Sequence, residues 1–313
     1  MITHSRNNGT FALGQPTHQD LLESFEQKVQ IIRDRVVSVA DGYQSGFYIV
    51  GRPGTSKTFT VKKELDRLEA PSTLQNARMT PMGLFNFIAE HPEHVIVLDD
   101  IPSLFKNDQA MQILMAALDG KPGQPRKVTY KSKDQDIQVL FSGAIIAISN
   151  LPLRRDPLAQ ALGSRVVMLE HEPTDEEIAA FMQHLAAKGH ADLSSEECLE
   201  VVQFVIAETR SYDMRLDLRH LNKAWQDFRQ DKHGRSKTPW RDLVRTSLQK
   251  IASEPILSVS KRDDIELQRQ KVRDAMRRFP DDRQAQLEIS GLKQSTFYNR
   301  RKEVLADAEF AAA

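Results

Sequence analysis

The 313-residue sequence has a single cysteine, Cys198. One thiol excludes an internal disulfide and any metal site built on several thiolates, and it fits a reducing compartment. Neither sign of charge is in excess, with 43 Lys+Arg against 43 Asp+Glu. Overall charge therefore says nothing about partners, and any surface for nucleic acid has to be local. No apolar run approaches the roughly 18–20 residues that span a bilayer, so no membrane association is expected. The opening stretch MITHSRNNGTFALGQPTHQD lacks a basic segment followed by an apolar one. It does not read as a secretory signal, and a cytoplasmic location is expected. The histidines lack ligand spacing, His94, His171 and His220 being scattered, and no Ser-His-Asp or Cys-His arrangement stands out.

What remains is an ordinary globular composition, 40% hydrophobic and 27% charged, long enough for two domains with room for a small third. Residues 1–16 read as a mobile arm. Thr17 caps a helix to about Ala40, because Leu21, Leu22, Phe25, Val29 and Ile32 recur at helical spacing. From Ser45 on, short apolar runs alternate with amphipathic helices. The strands are FYIVG (47–51), TLQNARM (73–79), HVIVLDD (94–100), GAIIAISN (143–150) and RVVMLEH (165–171), with helices after the first, over 81–90 and over Gln109–Leu118. KVTYKS and DIQVLFSG, around a polar turn at Asp134, read as a β-hairpin spanning 127–142. The alternation predicts a parallel sheet covered by helices on both faces. After Pro173 the strand signal stops. Four helices are expected over Asp175–Lys188, Ser194–Arg210, Leu216–Gln230 and Trp240–Ile251. A break at 253–260 precedes three short helices at about 263–278, 281–289 and 294–306.

Two constellations carry chemistry. GRPGTSKT (51–58) follows a strand and opens a helix, so its small residues let backbone N–H groups curl around a phosphate chain. Gly51, Arg52, Pro53, Gly54, Thr55 and Ser56 form the loop, Lys57 is the cation for the outer phosphates, and Thr58 is the hydroxyl for Mg²⁺. Ser56 departs from the pattern, standing where a second glycine is expected, at a cost of ~1 kcal/mol if φ is positive. About forty residues on, VIVLDD ends a buried strand in two carboxylates. Asp99 is the candidate to hold Mg²⁺, and Asp100 to orient or deprotonate an attacking water. ATP and Mg²⁺ are the expected cofactors, and the expected activity is ATP hydrolysis.

In their order the motifs resemble the AAA+ ATPases: GRPGTSKT, then VIVLDD, then a strand ending in Asn, an Arg before the next strand, and a helical region carrying Arg. The resemblance covers about 45–250. It implies an α/β fold in which a parallel-sheet core over 17–172 is followed by a helical lid over 173–252. It makes Asn150 the sensor at the tip of the fourth strand and Arg219 the lid arginine, with Arg215 as competitor. It makes Arg165, with Arg154 and Arg155 as rivals, the arginine that reaches the γ-phosphate of a neighbouring subunit. A homo-oligomeric ring, a hexamer by expectation, is implied.

Two further segments point toward DNA. The hairpin region concentrates Lys121, Arg126, Lys127, Lys131 and Lys133 around Tyr130, which suits a nucleic-acid backbone and equally a solvated hairpin tip. From Lys261 to Leu305, 12 Lys/Arg stand against 8 Asp/Glu, although the whole chain is neutral. Here 283–305 reads helix, glycine turn, helix, and 261–313 resembles the all-α helix-turn-helix domains of bacterial and phage regulators. Lys293, Gln294, Ser295, Thr296, Tyr298 and Asn299 open the second helix toward base edges, and Arg300, Arg301 and Lys302 follow toward phosphates. The alternatives left open are a MoxR-like chaperone gripping a protein partner, and a nucleotide-gated transcriptional regulator, for which the GAFTGA loop of one such branch is absent.

Overall fold

The computed structural model describes residues 16–131, 136–153, 156–253, 261–280 and 282–311. The expected N-terminal arm (Pro16 apart), Lys133, and Arg154 with Arg155 lie outside those residues. Two compact units are formed, Met1–Gln249 and Lys250–Ala313.

The first unit begins with α1, His18–Ala40. Thr17 accepts from the Asp20 N–H, and the Asp20 carboxylate accepts from the Thr17 N–H at 2.8 Å, so two helix-end donors are satisfied reciprocally. Five parallel strands follow: β1 (Gly46–Val50), β2 (Ser72–Gln75), β3 (Val95–Asp99), β6 (Ala144–Ser149) and β7 (Val167–Glu170), ordered β2-β3-β6-β1-β7. Helices α2 (Lys57–Arg67), α3 (Pro81–Glu90), α4 (Asp108–Leu118) and α5 (Pro157–Gly163) connect them. The fold is the α/β parallel-sheet architecture that the alternation predicts. β2 is shorter than the expected 73–79 and lies at the edge of the sheet, beside β3.

Side chains alternate strictly across this sheet. Phe47 and Ile49 of β1 and Val97 of β3 pack under Ile32, Val36 and Val39 of α1 and Val61 and Leu65 of α2. Tyr48, Ile96 and Leu98 face the other way, onto α3 and α4. Burial on both faces is why the strands read as continuous apolar runs. Each fully buried Leu or Ile contributes about 1.5–3 kcal/mol over its exposed state.

The hairpin pairs β4 (Arg126–Lys131) with β5 (Asp136–Phe141), antiparallel. One face carries Val128, Phe141 and the half-buried Tyr130, Ile137 and Val139 onto the α3/α4 core. Arg126, grouped with the hairpin's basic residues in the sequence, is 6% exposed and does not belong to its surface. It donates to the carbonyls of Phe141 (3.2 Å) and Gly143 and stacks on the Phe141 ring.

Four helices follow, the last running past the end of the unit: α6 (Asp175–Ala186), α7 (Ser195–Ser211), α8 (Leu218–Lys232) and α9 (Trp240–Ser253). Thr174 and Ser194 form capping boxes with Glu177 and Glu197. Their core gathers Ile178, Met182, Val201, Val205, Leu221 and Trp225, together with Phe25 and Val29 of α1.

The second unit packs α10 (Lys261–Arg278), α11 (Arg283–Ser290) and α12 (Gln294–Ala311) around Val272, Phe297 and Val304. Gly291 turns the chain between α11 and α12 at φ 63°, a conformation glycine reaches without a Cβ penalty.

Candidate functional site

The site lies at the carboxyl ends of the parallel strands. There β1 delivers the glycine-rich loop, β3 delivers Asp99, and β6, hydrogen-bonded between them, delivers Asn150. This order brings residues distant in sequence into contact. Lys57 Nζ donates to the carbonyls of Gly51 and Arg52, both at 2.6 Å, and meets Asn150 Oδ1 at 3.2 Å. Thr58 Oγ1 donates to Asp99 Oδ1 at 3.1 Å. Arg219, in the first turn of α8, lines the same cleft with Lys57, Thr58, Asp99, Asp100 and Asn150.

The loop makes two left-handed turns. Gly54 has φ 70°, and Ser56 adopts φ 73° despite its Cβ. Asp100 is also left-handed, at φ 53°, with its N–H donating to the Ile148 carbonyl at 2.9 Å. Two non-glycine residues in this region at one site is a concentration of backbone strain where chemistry is expected.

Burial shapes the electrostatics. It pulls the Lys57 ammonium down to about 8, with Arg219 pushing the same way and Glu172, Asp100 and Asp99 opposing. Burial also raises the Asp99 carboxyl, against the Thr58 hydrogen bond, with Asp100 adding to the rise and Lys57 and Arg219 countering it. A partly desolvated cation beside a partly desolvated carboxylate is a site short of charge partners on both sides. A phosphate chain suits the first. A hard divalent cation suits the paired oxygens of Thr58 and Asp99.

Arg165 stands apart from this cluster. It precedes β7, at the amino end of that strand and so at the end away from the loop, where Nη1 donates to the Ala161 carbonyl at 2.7 Å and Nε lies 3.3 Å from Asp119. On the hairpin, Lys127 and Lys131 share the outer face, Lys131 pairing with Asp136 at 3.0 Å, while Tyr130 leans on Phe85. In the second unit Lys293, just ahead of α12, and Gln294, Ser295, Tyr298, Asn299 and Lys302 along it are exposed, and Thr296 is partly so. Arg300 is committed elsewhere: it donates to Glu303 at 2.6 Å and to Gln268 at 3.1 Å. Arg301 reaches Gln286 at 3.3 Å.

The residues that brace the loop carry no motif that marks them in the sequence. His171, set aside as scattered, is 2% exposed and its Nε2 lies 2.9 Å from the Thr55 carbonyl. A carbonyl only accepts, so Nε2 carries the proton, and burial lowers the ring's pKa and keeps it neutral. Glu172 Oε1 accepts the Arg52 N–H at 2.7 Å. Tyr48 and Ser149 both donate to the Leu151 carbonyl, at 3.0 and 2.8 Å, and so fix the tip of β6 beside Asn150. The available signal was positional: His171 and Glu172 directly follow the strand that pairs with β1.

No family model matches the chain, and no curated protein matches it. Solved structures that match in fold include a point mutant of RuvB from Thermotoga maritima. It is 12% identical, with 93% of this chain and 90% of that one covered, at a TM-score of 0.45. Among the described residues no helix is long and apolar enough to cross a membrane.

Proposed function

We propose that this chain is an AAA+ ATPase that works as a homo-oligomeric ring on DNA or a nucleoprotein. The observation that carries the reading is the convergence of Lys57, Asn150, Thr58 and Asp99 at the end of a left-handed loop. In this reading the N–H groups of Gly54–Thr58 cradle the phosphates and Lys57 neutralises the outer ones. Thr58 and Asp99 would hold Mg²⁺, which would supply charge neutralisation on the phosphate oxygens when bound. Asp100 orients water or takes its proton, Asn150 positions it, and Arg219 closes over the nucleotide from the lid. Arg165, remote from its own loop, serves the site of the next subunit.

The DNA assignment is supported by the exposed row Lys293, Gln294, Ser295, Tyr298, Asn299 and Lys302 on α12, and by Lys127 and Lys131 on the hairpin. One position favours a protein partner instead: Leu140, opposite Lys127 in the hairpin register, is 64% exposed, and a phosphate backbone has no use for it.

Two measurements test the proposal. ATP turnover is expected for the wild type and abolished in Lys57→Ala; equal rates in both remove the hydrolysis claim. DNA binding is expected to weaken steeply with salt and to vanish when 261–313 is deleted. Activity indifferent to any nucleic acid favours the protein-remodelling alternative. Assembly with an ATP analogue, compared between wild type and Arg165→Ala, tests the shared site.

A further inference from the structure

The phosphate loop has two sides. Its inner side presents Lys57 and Thr58 to Asn150 and Asp99. Its outer side is held by the connector that leads from the sheet into the lid, and by the start of α8. The Arg52 side chain leaves the loop outward, and its Nη2 donates to the Pro173 carbonyl at 3.0 Å and to Asp175 Oδ1 at 2.6 Å. Asp175 is the first residue of α6, and its carboxylate has other commitments. It pairs with Arg215 Nε at 3.0 Å and accepts the Leu216 N–H at 3.3 Å, just ahead of α8. The Leu218 N–H donates to the Gly54 carbonyl at 3.0 Å, and a Cβ at Gly54 would run into the Asp217 carboxylate.

We propose that Arg52 and Asp175 form a latch that transmits occupancy of the phosphate loop to the helical lid. The latch rests on the nucleotide reading above and assigns that site its regulation. One carboxylate joins three pieces of chain: the loop, the first lid helix and the segment entering the third. The backbone of 51–58 is shared between the inner and outer contacts, so an anion that draws its N–H groups inward also moves the base of the Arg52 side chain. Gly54, with no free volume on its lid side, passes the same shift to 217–218.

The guanidinium itself is poised for exchange. Among the described residues, its Nε and Nη1 are buried without a hydrogen-bond partner. Idle buried donors on a charged group are costly, so the arrangement competes closely with one that satisfies them. A latch needs this near balance, because a small displacement of the loop then suffices to change partners. Arg52 and Asp175 are positioning residues here and touch no reacting atom.

Hydrogen exchange on the full chain, with and without a non-hydrolysable ATP analogue and Mg²⁺, tests the latch. In the wild type, protection is expected over 51–58, along with an analogue-dependent change in Asp175–Ala186 and Leu218–Lys232 of about tenfold, a usual size for such couplings. In Asp175→Ala the loop protection stays and the lid response falls below about twofold. Asp175→Glu, which keeps the charge, restores it. Should Asp175→Ala melt early, Asp175→Asn carries the same comparison with less disturbance of packing. Loop protection with an undiminished lid response in these variants overturns the latch and leaves the nucleotide reading intact. No loop protection in the wild type overturns the nucleotide reading, and the latch with it.

Discussion

Lys57 Nζ sits 3.2 Å from Asn150 Oδ1, so the cation of the loop and the tip of β6 are in direct contact. Asn150 therefore has two tasks in the proposed mechanism, holding the lysine and placing the water. Asn150→Ala is expected to lower turnover by about 10²-fold, the usual cost of one preorganised polar group, while nucleotide affinity stays within a few-fold. Steady-state ATP hydrolysis alongside equilibrium binding of a fluorescent ATP analogue checks the split. A matched fall in affinity and turnover would instead make Asn150 a simple binding residue.

The depressed Lys57 gives nucleotide binding a pH signature. Below about 8 the ammonium is charged and affinity is insensitive to this group. Above it, the free protein lacks the proton that bound phosphate requires. Affinity then falls, approaching about tenfold per pH unit until the pKa of the bound state is reached. The sign for folding is opposite. The folded pKa lies below the unfolded value of 10.5, so between about 8 and 10.5 the unfolded chain holds more protons and this residue makes stability rise with pH. Binding and melting measured across that window should move in opposite directions.

Ser56 holds φ 73° at the start of α2. Ser56→Gly removes the Cβ from a left-handed residue and is expected to stabilise the first unit by about 0.5–1 kcal/mol, since relieved strain outweighs glycine's added freedom in the unfolded chain. The shift in denaturant midpoint measures it. An unchanged or lower midpoint would show that the serine contributes something its backbone does not reveal.

On α12, neighbouring cations have different jobs. Lys293 and Lys302 are exposed, whereas Arg300 is bound to Glu303 and Gln268. Replacing both lysines with alanine should reduce the salt dependence of DNA binding by about two counterions, roughly 0.9 in slope for each phosphate that is no longer neutralised. Arg300→Ala should mainly lower the melting temperature of the C-terminal unit. Equal effects on the salt slope would place Arg300 on the DNA after all.

The sheet was legible because its strands are buried on both faces, leaving runs such as Val95–Leu98 with few readings other than strand. The loop, Asp99 and Asn150 were legible because each sits where a strand meets its connection. The supports of the loop were not. His171 and Glu172 act through a backbone carbonyl and a backbone N–H, and such contacts leave no residue pattern. Arg126 misled for a related reason. An arginine on a hairpin reads as surface, and only the carbonyls of Phe141 and Gly143, brought together by the fold, make its burial tolerable.

Helix α1 belongs to two of the three cores of the first unit. Its first half puts Phe25 and Val29 among the helices that follow residue 173, with Lys28 paired to Glu177 at 2.6 Å, and its second half puts Ile32, Val36 and Val39 beneath the sheet. The boundary expected after residue 172 falls between two pieces of chain that share this helix. α1 works as a rivet: a chain cut at 172 would still have apolar side chains of one helix committed to both pieces.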